Sequence, residues 1–428
     1  MADVRPLRGL RYDLARVGDL AHVLCPPYDV ISAEAAAILR ASSPYNAIHV
    51  ELPTGEAGDG RYAQAAALFA EWLARGVLQR DPAPCLYPVE EEFEWAGVRR
   101  RRRGVLALVR LTAWEEGVVL PHERTLAGPK ADRLALLRAC QANLSPVFLL
   151  HPPLPAAQAA LWEATTATPP VASARLGPDD QVRMWAVAAP SAWCAALAPA
   201  RLYVADGHHR YETALRYRDE LRAQRAAVPS GAEFVLAYLV ALDDPGLLLL
   251  PTHRCAPPES VERSAVERLL AERFDCTAMT LDASRVADAV AALERHGQAR
   301  AGAVVLGVYT PGRLWLATPR AGAERWLPAE RHPAWRALDV AQADCLLLQP
   351  LLGPDAAERL TYTRDPAEAL QRVDRGAAAF AVLLNPLAPA HMVAVAEAHE
   401  RMPQKSTYFY PKLPTGLLFH RLDEHALG

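Results

Sequence analysis

The stretch LYVADGHHRY, residues 202–211, decides the fold of this 428-residue chain. Its apolar start predicts a short buried strand over 201–205, and the amphipathic pattern that follows predicts a helix over 208–225. Asp206 and Gly207 stand between the two, where a glycine permits a tight turn and the close approach of another group to the backbone. The pattern therefore predicts a strand that turns directly into a helix.

The start of this helix is a candidate anion site. The first amides of a helix have no partner within it, and the positive end of the helix dipole lies behind them. Gly207, His208 and His209 would surround the anion, and Arg210 could donate two parallel hydrogen bonds to phosphate oxygens. Asp206 could cap the helix, hold a magnesium ion or bind a substrate hydroxyl. The alternative is a capped helix start without a ligand.

Composition restricts the class of protein. Half of the chain is hydrophobic and 22% is charged, which is typical of a globular protein, and the length predicts two or three domains. The 46 basic and 49 acidic residues leave a net charge of −3, so we expect no nucleic-acid partner, although one phosphate could still bind. The first residues lack the pattern of a signal peptide, and no apolar run approaches the roughly 20 residues of a membrane helix. The seven scattered cysteines contain no Cys-x-x-Cys pair, so a cytoplasmic protein without a membrane partner is expected.

Lysine is rare in this chain. There are three lysines against 43 arginines. Because lysine is a compact point charge and arginine a planar fork, positions that keep lysine are candidates for chemistry that arginine cannot perform. Lys405 and Lys412 lie within 403–412, and Lys130 closes the segment 126–130. Chance is the alternative explanation.

The N-terminal third is predicted from local patterns. Residues 20–24 and 47–52 have the composition of short strands, separated by a turn at 26–29. A helix is expected over 33–41, with Ser32 as its N-cap.

A hairpin is predicted over 86–109, turning at Ala96-Gly97. Its first arm carries four glutamates and its second arm carries Arg99 to Arg103. The five arginines could indicate nucleic-acid binding, but glutamates across the turn would neutralise them through cross-strand pairs. We therefore interpret them as structural.

The Asp-Gly-His-His-Arg motif, followed by Ala214, resembles the phosphate-binding motif of the ParB and sulfiredoxin superfamily. That superfamily includes nucleotide-binding switches, sulfiredoxin and a free serine kinase. Several further segments resemble the family called domain of unknown function 1015, and they span nearly the whole chain: 25–30, 43–46, 121–125, 128–130, 205–210, 251–254 and 403–411.

The resemblance implies a mixed α/β fold with a ParB- and sulfiredoxin-like nucleotide-binding core. We expect this core within a main domain over 1–255. A smaller inserted α+β domain is predicted over 256–350, and a C-terminal segment over 351–428 is predicted to return to the main domain.

Residues 121–125 read Pro-His-Glu-Arg-Thr and place an imidazole, an acid, a cation and a hydroxyl in one loop. Glu123 is the candidate general base, with His122 beside it, provided that burial adjusts the pKa of Glu123. The alternative is a structural ion pair of Glu123 with Arg124 or Arg133. Lys130 and Arg133 could extend the phosphate cradle, and the alternative for both is a solvated helix start.

Lys405, Ser406 and Thr407 resemble a phosphate-contacting triplet but lack the glycines of a P-loop, which excludes a Walker motif. Asp29, Asn46 and His253 are the candidate substrate-binding residues. For His253 the alternative is a hydrogen-bonded structural role.

Three functions follow as hypotheses. The first is a nucleotide-binding phosphotransferase that uses ATP or ADP with Mg²⁺ and acts on a small hydroxylated metabolite; by resemblance to the serine kinase, this could be a free amino acid such as serine. The second is a metal-dependent phosphatase or other hydrolase that uses a cluster of acidic residues and histidines: Asp29, His122, Glu123, Asp206, His208, His209 and His253. The third is a non-catalytic, nucleotide-responsive switch. The oligomeric state stays open.

Overall fold

The computed structural model describes residues 1–55, 59–125, 127–198, 201–224, 228–299 and 303–423. The chain divides into two compact units. Unit 1 comprises Met1–Pro121, Thr125–Leu248 and Pro411–Gly428, and unit 2 comprises His122–Arg124 and Leu249–Tyr410. Each unit is described by itself.

The α-helices are, in chain order: α1 (Leu14–Val17), α2 (Ala33–Ser42), α3 (Ile48–Glu51), α4 (Asp59–Ala74), α5 (Ala127–Cys140), α6 (Pro155–Thr166), α7 (Ser191–Leu197), α8 (His208–Gln224), α9 (Arg263–Arg273), α10 (Val286–Ala299), α11 (Pro333–Arg336), α12 (Asp339–Ala343), α13 (Gln349–Leu352), α14 (Ala356–Arg359), α15 (Pro366–Asp374) and α16 (Pro389–Glu397). A π-helical segment, Asp344–Leu348, joins α12 to α13.

The strands are, in chain order: β1 (Val4–Arg5), β2 (Leu10–Tyr12), β3 (Leu78–Arg80), β4 (Tyr87–Trp95), β5 (Val98–Arg110), β6 (Val119–Leu120), β7 (Ala142–Asn143), β8 (Val147–His151), β9 (Ala172–Arg175), β10 (Gln181–Met184), β11 (Leu202–Asp206), β12 (Phe234–Ala241), β13 (Leu248–Leu250), β14 (His253–Cys255), β15 (Phe274–Thr280), β16 (Leu306–Thr310), β17 (Arg313–Pro319), β18 (Thr361–Thr363), β19 (Ala381–Leu383), β20 (Tyr408–Tyr410) and β21 (His420–Arg421).

Unit 1 is built on a nine-stranded sheet in the order β6-β11-β8-β12-β5-β4-β10-β9, with β1 also paired to β5. Strand β11 is parallel to β6, and β12 is parallel to β8, while the other pairs are antiparallel. All eight residues of β12 are buried, as its continuous apolar run requires of a central strand. Because parallel and antiparallel strands share one sheet with flanking helices, the predicted mixed α/β class is confirmed.

The strand, turn and helix predicted around Asp206 and Gly207 are present in the structure. Strand β11 ends at Asp206 and α8 begins at His208, with Gly207 between them. Strand β11 lies in the sheet between β6 and β8, and its residues Leu202 and Val204 belong to the core of unit 1. The sheet therefore fixes the position from which α8 starts.

Two predicted strands near the N-terminus are wrong. Residues 20–24 contain a 3-10 helix, Leu20–His22, because the Asp19 side chain accepts from the Ala21 amide and starts a turn. Residues 47–52 contain α3, where Asn46 Oδ1 accepts from the Ile48 amide at 3.0 Å. In both places a side chain that binds the nearby backbone overrides the β-propensity of the apolar residues.

The other local predictions in this part of the chain are confirmed. Helix α2 begins after Ser32, whose hydroxyl accepts from the Ala35 amide at 3.1 Å. The hairpin β4-β5 places glutamates opposite arginines, and Arg102, which is 0% exposed, lies 2.7 Å from Glu91. Four arginines of the run thus pair with glutamates across the hairpin, as expected: Arg99, Arg101, Arg102 and Arg103.

Unit 2 contains an antiparallel six-stranded sheet in the order β15-β17-β16-β19-β14-β18. Leu293, Leu314, Leu370 and Leu383 belong to its apolar core. Strands β18 and β19 pair with β14, so the sheet of unit 2 includes residues well beyond position 350. For this reason the bounds of the units differ from the sequence-based boundaries at 255/256 and 350/351, and the return to unit 1 begins at Pro411.

No helix within the described ranges has both the length and the apolar character needed to cross a membrane.

Candidate functional site

The turn between β11 and α8 requires its glycine for two reasons. Gly207 has a φ of +90°, a conformation that strains any residue with a Cβ atom. A Cβ atom built on Gly207 would also lie 3.0 Å from Nε and 3.1 Å from Cζ of Arg210. The guanidinium of Arg210 thus folds back against the turn, directly over the start of its own helix.

Asp206 holds two cations at this turn. Arg210 Nη2 donates to Asp206 Oδ2 at 2.5 Å, and Lys412 Nζ donates to Asp206 Oδ1. Arg210 Nη1 also donates to the carbonyl oxygen of Pro146. All three charged side chains are at most 15% exposed. Burial disfavours the charged form of Asp206, but Lys412 and then Arg210 outweigh it and hold the pKa of Asp206 well below its ordinary value.

A second buried carboxylate, Glu51 at the end of α3, lies within electrostatic reach of Arg210. Its Oε1 accepts from the Ser145 hydroxyl at 3.0 Å and lies 3.8 Å from Arg133 Nη1. Burial raises the pKa of Glu51, while Arg133 and Arg210 oppose the shift. The surroundings of Glu51 thus favour its protonated form more than water does.

Arg133, on α5, is buried and connects this carboxylate to an aromatic ring. Its Nη1 donates to the backbone oxygen of Glu51 at 2.8 Å, and its Nη2 pairs with Asp132 at 2.6 Å. The guanidinium lies 4.1 Å from the centre of the Tyr28 ring. Burial raises the pKa of Tyr28 to about 12, so this phenol stays protonated.

A small cavity of about 50 Å³ lies among these groups in unit 1. Its polar lining comes from Glu51, Arg133, Asn143, Ser145, Arg210 and Thr213. Water needs roughly 10–15 Å³ per molecule on this measure, so the cavity can hold water but not a nucleotide. At the turn itself, Asp206, Gly207, His209 and Arg210 are all partly exposed.

Three other residues proposed from the sequence also lie in unit 1. Lys130 Nζ pairs with Glu212 of α8 at 3.1 Å, and Asp29 is exposed and interacts electrostatically with Arg210. The Asn46 amide donates to the backbone oxygens of His22 and Leu24 at 2.8 and 3.0 Å, which is a structural use of this side chain. A substrate contact of Asn46 stays a prediction.

The remaining site residues lie in unit 2, where the structure brings two of the predicted segments together. His122 Nε2 and Thr407 Oγ1 form a hydrogen bond of 2.8 Å, and Glu123 Oε1 accepts from the Lys405 amide at 3.1 Å. Ser406 is buried and its hydroxyl donates to the Pro403 carbonyl at 2.5 Å. Lys405 adopts a left-handed conformation with φ +58°, so this loop is held in an uncommon conformation beside the predicted base.

His253 lies in β14 and is buried. Its Nδ1 accepts from the Leu384 amide at 3.3 Å. Burial and then the charge of Arg254 lower the pKa of His253 to about 4, so the ring is neutral at pH 7. These contacts agree with the structural alternative for His253.

The hypothesis of a metal hydrolase needs converging ligands. Within the described ranges, no group of three or more His, Cys, Asp or Glu side chains could hold a metal ion. The sets proposed for it divide between units: Asp206, His208 and His209 belong to unit 1, while His122 and Glu123 belong to unit 2.

Sequence reasoning assigned no individual role to four residues of this site: Tyr28, Glu51, Ser145 and Lys412. The rarity of lysine singled out Lys412, and that signal could have identified it. For Glu51 and Ser145 no local signal exists, because their hydrogen bond joins positions 94 residues apart.

Comparison with known proteins gives the following similarities. No curated protein matches the sequence. Among solved structures, a conserved hypothetical protein from Pyrococcus furiosus is similar over 73% of this chain and 93% of its own, with 13% identity and a TM-score of 0.34. A mutant of a free serine kinase in complex with ADP is similar over 75% and 92%, with 11% identity and a TM-score of 0.38. SbnI with a C-terminal truncation, from Staphylococcus aureus, is similar over 72% and 85%, with 10% identity and a TM-score of 0.35.

Those TM-scores are too low to carry an argument about this chain. The family comparison is decisive, because one family model matches residues 4–341, which is well over half of the chain. The resemblance to the family called domain of unknown function 1015 is thereby confirmed, and the chain belongs to the family described as protein of unknown function (DUF1015).

Proposed function

We propose that unit 1 binds the phosphate groups of ATP or ADP at Gly207–Arg210 and transfers a phosphoryl group to or from a small hydroxylated metabolite. The observation that carries this proposal is the pair of cations on Asp206 at the start of the 17-residue helix α8. Arg210 and Lys412 are held in place before any ligand arrives. Together with the first amides of α8 they form a set of donors suited to phosphate oxygens.

Binding would exchange one anion for another. Phosphate oxygens would take over the hydrogen bonds that Arg210 and Lys412 now donate to Asp206. Since both cations are largely buried, their attraction to a phosphate is weakened less by solvent than it would be at the surface. His208 and His209, at the first turn of α8, would add donors near the phosphates.

In the transfer step, the acceptor hydroxyl oxygen forms a bond to the γ-phosphorus of ATP. The bond from that phosphorus to the bridging oxygen breaks, and ADP leaves with the electron pair. Arg210 and Lys412 stabilise the negative charge on the transferring group and on the leaving oxygen. A free amino acid such as serine is the first acceptor to test, because the motif at 206–210 resembles that of the ParB and sulfiredoxin superfamily, which includes a free serine kinase.

The hydroxyl proton passes to a carboxylate. Glu123 is the base predicted from the sequence, and its side chain accepts from the Lys405 amide in unit 2. Glu51 is the base that the contacts of unit 1 favour, because it is buried, has a raised pKa and lies near Arg210.

Magnesium, when bound, neutralises phosphate charge during such a transfer. This ion keeps several waters and needs only one or two carboxylates besides the phosphates. Asp29 and Asp206 are the carboxylates of unit 1 that would hold it, and both interact electrostatically with Arg210.

The test is phosphorus NMR of the full chain with magnesium, ATP and a pool of hydroxylated amino acids and sugars. We expect a new phosphomonoester signal with the wild type. In Arg210→Ala, both this signal and the binding of nucleotide should be lost. The matched control is Arg216→Ala, on the same helix but 65% exposed and paired only at the surface with Glu220, which should behave as wild type. Equal nucleotide affinity in folded Arg210→Ala and wild type would contradict the assignment of the site.

The base is identified by comparing Glu51→Gln with Glu123→Gln. The variant that removes the base should bind nucleotide normally but form the phosphomonoester at least a hundredfold more slowly. Nucleotide binding without product in the wild type, with every acceptor in the pool, would instead favour the nucleotide-responsive switch.

A further inference from the structure

Arg254 belongs to the segment 251–254, which the proposed function does not use. It lies in β14 of unit 2 and is 1% exposed. Its Nη1 donates to the backbone oxygen of Thr252 at 2.6 Å. Its Nε and Nη2 have no hydrogen-bond partner among the residues that the structure describes, and no other described arginine has two such buried atoms.

The two unpartnered nitrogens form one edge of the guanidinium. Arginine stays charged in proteins, so a buried edge without acceptors is costly, and an acceptor is expected there. The Nε–Nη2 edge is also the one that receives a carboxylate through two parallel hydrogen bonds. An anionic group with two oxygens would therefore fit this edge of Arg254.

Two carboxyl groups of the same unit lie within electrostatic reach of Arg254. The charges of both Asp339 and Asp344 interact with the guanidinium, yet neither forms an ion pair with it in the described part of the chain. Asp339 Oδ1 instead accepts from the Val340 amide at 2.7 Å. The guanidinium carbon lies 5.8 Å from the centre of the Tyr362 ring.

The members of this cluster differ in their exposure. Asp339, Asp344 and Tyr362 are partly exposed, whereas Arg254 is not. Asp344 also begins the π-helical segment between α12 and α13, and such segments occur frequently at functional sites.

We propose that Arg254, Asp339 and Asp344 bind a small zwitterion, a molecule that carries one carboxylate and one ammonium group, as a free α-amino acid does. Its carboxylate would accept from Nε and Nη2 of Arg254, and its ammonium would donate to the aspartate carboxyls. A phosphate dianion fits less well because two carboxyls face it, and a simple cation fits less well because Arg254 repels it. This site rests on contacts of unit 2 alone and does not depend on nucleotide binding in unit 1.

The first test needs no variant. Isothermal titration calorimetry of the full chain without nucleotide is carried out with glycine, alanine and serine, and then with acetate, methylamine and inorganic phosphate. We expect saturable binding of the amino acids and affinities at least tenfold weaker for the three probes that carry charge of one sign only. Equal affinity for acetate and alanine, or no binding of any amino acid, would overturn the proposal.

The second test locates the site. Asp344→Asn preserves the size of the side chain and should weaken alanine binding at least tenfold while the melting temperature stays near that of wild type. Asp355→Asn, an exposed carboxyl in the same unit, is the matched control and should bind as wild type does. Wild-type affinity in both Asp344→Asn and a folded Arg254→Gln would show that the amino acid binds elsewhere.

Discussion

Arg210 in unit 1 and Arg254 in unit 2 are both buried arginines, but their surroundings differ. Arg210 donates to a carboxylate and to a backbone oxygen, and the same carboxylate also holds Lys412. Arg254 donates to one backbone oxygen and keeps its other edge unpartnered within the described residues, with two carboxyls at a distance. The first arginine is complemented by the chain itself, whereas the second has the geometry of a receptor for an outside anion.

The largest expected effect concerns the carboxylates of the two sites. Asp206→Ala should lower the free energy of unfolding by about 3–5 kcal/mol, because it leaves Arg210 and Lys412 buried without their acceptor. Asp344→Ala should cost about 1 kcal/mol or less, since that carboxyl forms no ion pair with Arg254 and burial already raises its pKa. Urea unfolding at pH 7 measures both. Equal costs would remove the contrast between the two sites.

A second prediction concerns pH. His420 in unit 1 and His253 in unit 2 are buried, and burial lowers the pKa of each to about 4. A histidine in the unfolded chain has a pKa of about 6.5. Below that pH its imidazole is therefore protonated in the unfolded chain but stays neutral in the folded chain down to about pH 4. The stability contributed by each neutral ring is therefore complete above pH 6.5 and is lost as the pH falls toward 4.

We expect each histidine to account for about 2–3 kcal/mol of the stability lost between pH 7.5 and pH 4.5. Urea unfolding at both pH values, for wild type, His253→Gln and His420→Gln, checks this. Each variant should show a pH dependence smaller by that amount. A variant with the full wild-type pH dependence would mean that its histidine is protonated in the folded protein.

The smallest expected change in stability concerns Lys130 of unit 1, which we compare with Lys412 of the same unit. Lys130 pairs with Glu212 in a half-exposed position, so Lys130→Met should change the free energy of unfolding by less than about 1 kcal/mol. Its effect on ATP affinity, measured by calorimetry, should be no more than about threefold, while Lys412→Met should weaken binding at least tenfold. A tenfold loss in Lys130→Met would instead place this lysine in the phosphate cradle, as the sequence predicts.

The sequence by itself determined those helices, strands and turns that depend on interactions between residues close together in the chain. The turn at Asp206-Gly207, the hairpin β4-β5 and helix α2 with its Ser32 cap depend on contacts between near neighbours, so local patterns were sufficient. The predictions of strands at 20–24 and 47–52 were wrong because side chains, Asp19 and Asn46, bind the nearby backbone and start helical turns there, which a hydrophobic pattern does not indicate.

Only the tertiary structure decided the partners of the charged groups. Lys412 and Asp206 are 206 residues apart, and Ser145 and Glu51 are 94 apart, so no spacing in the sequence connects them. The same is true of Arg254: its motif was visible in the sequence, but its unpartnered edge and the two carboxyls within electrostatic reach of it were not. A residue type states which interactions a side chain can make, but burial and the approach of distant segments determine which of them it makes and which it leaves for a ligand.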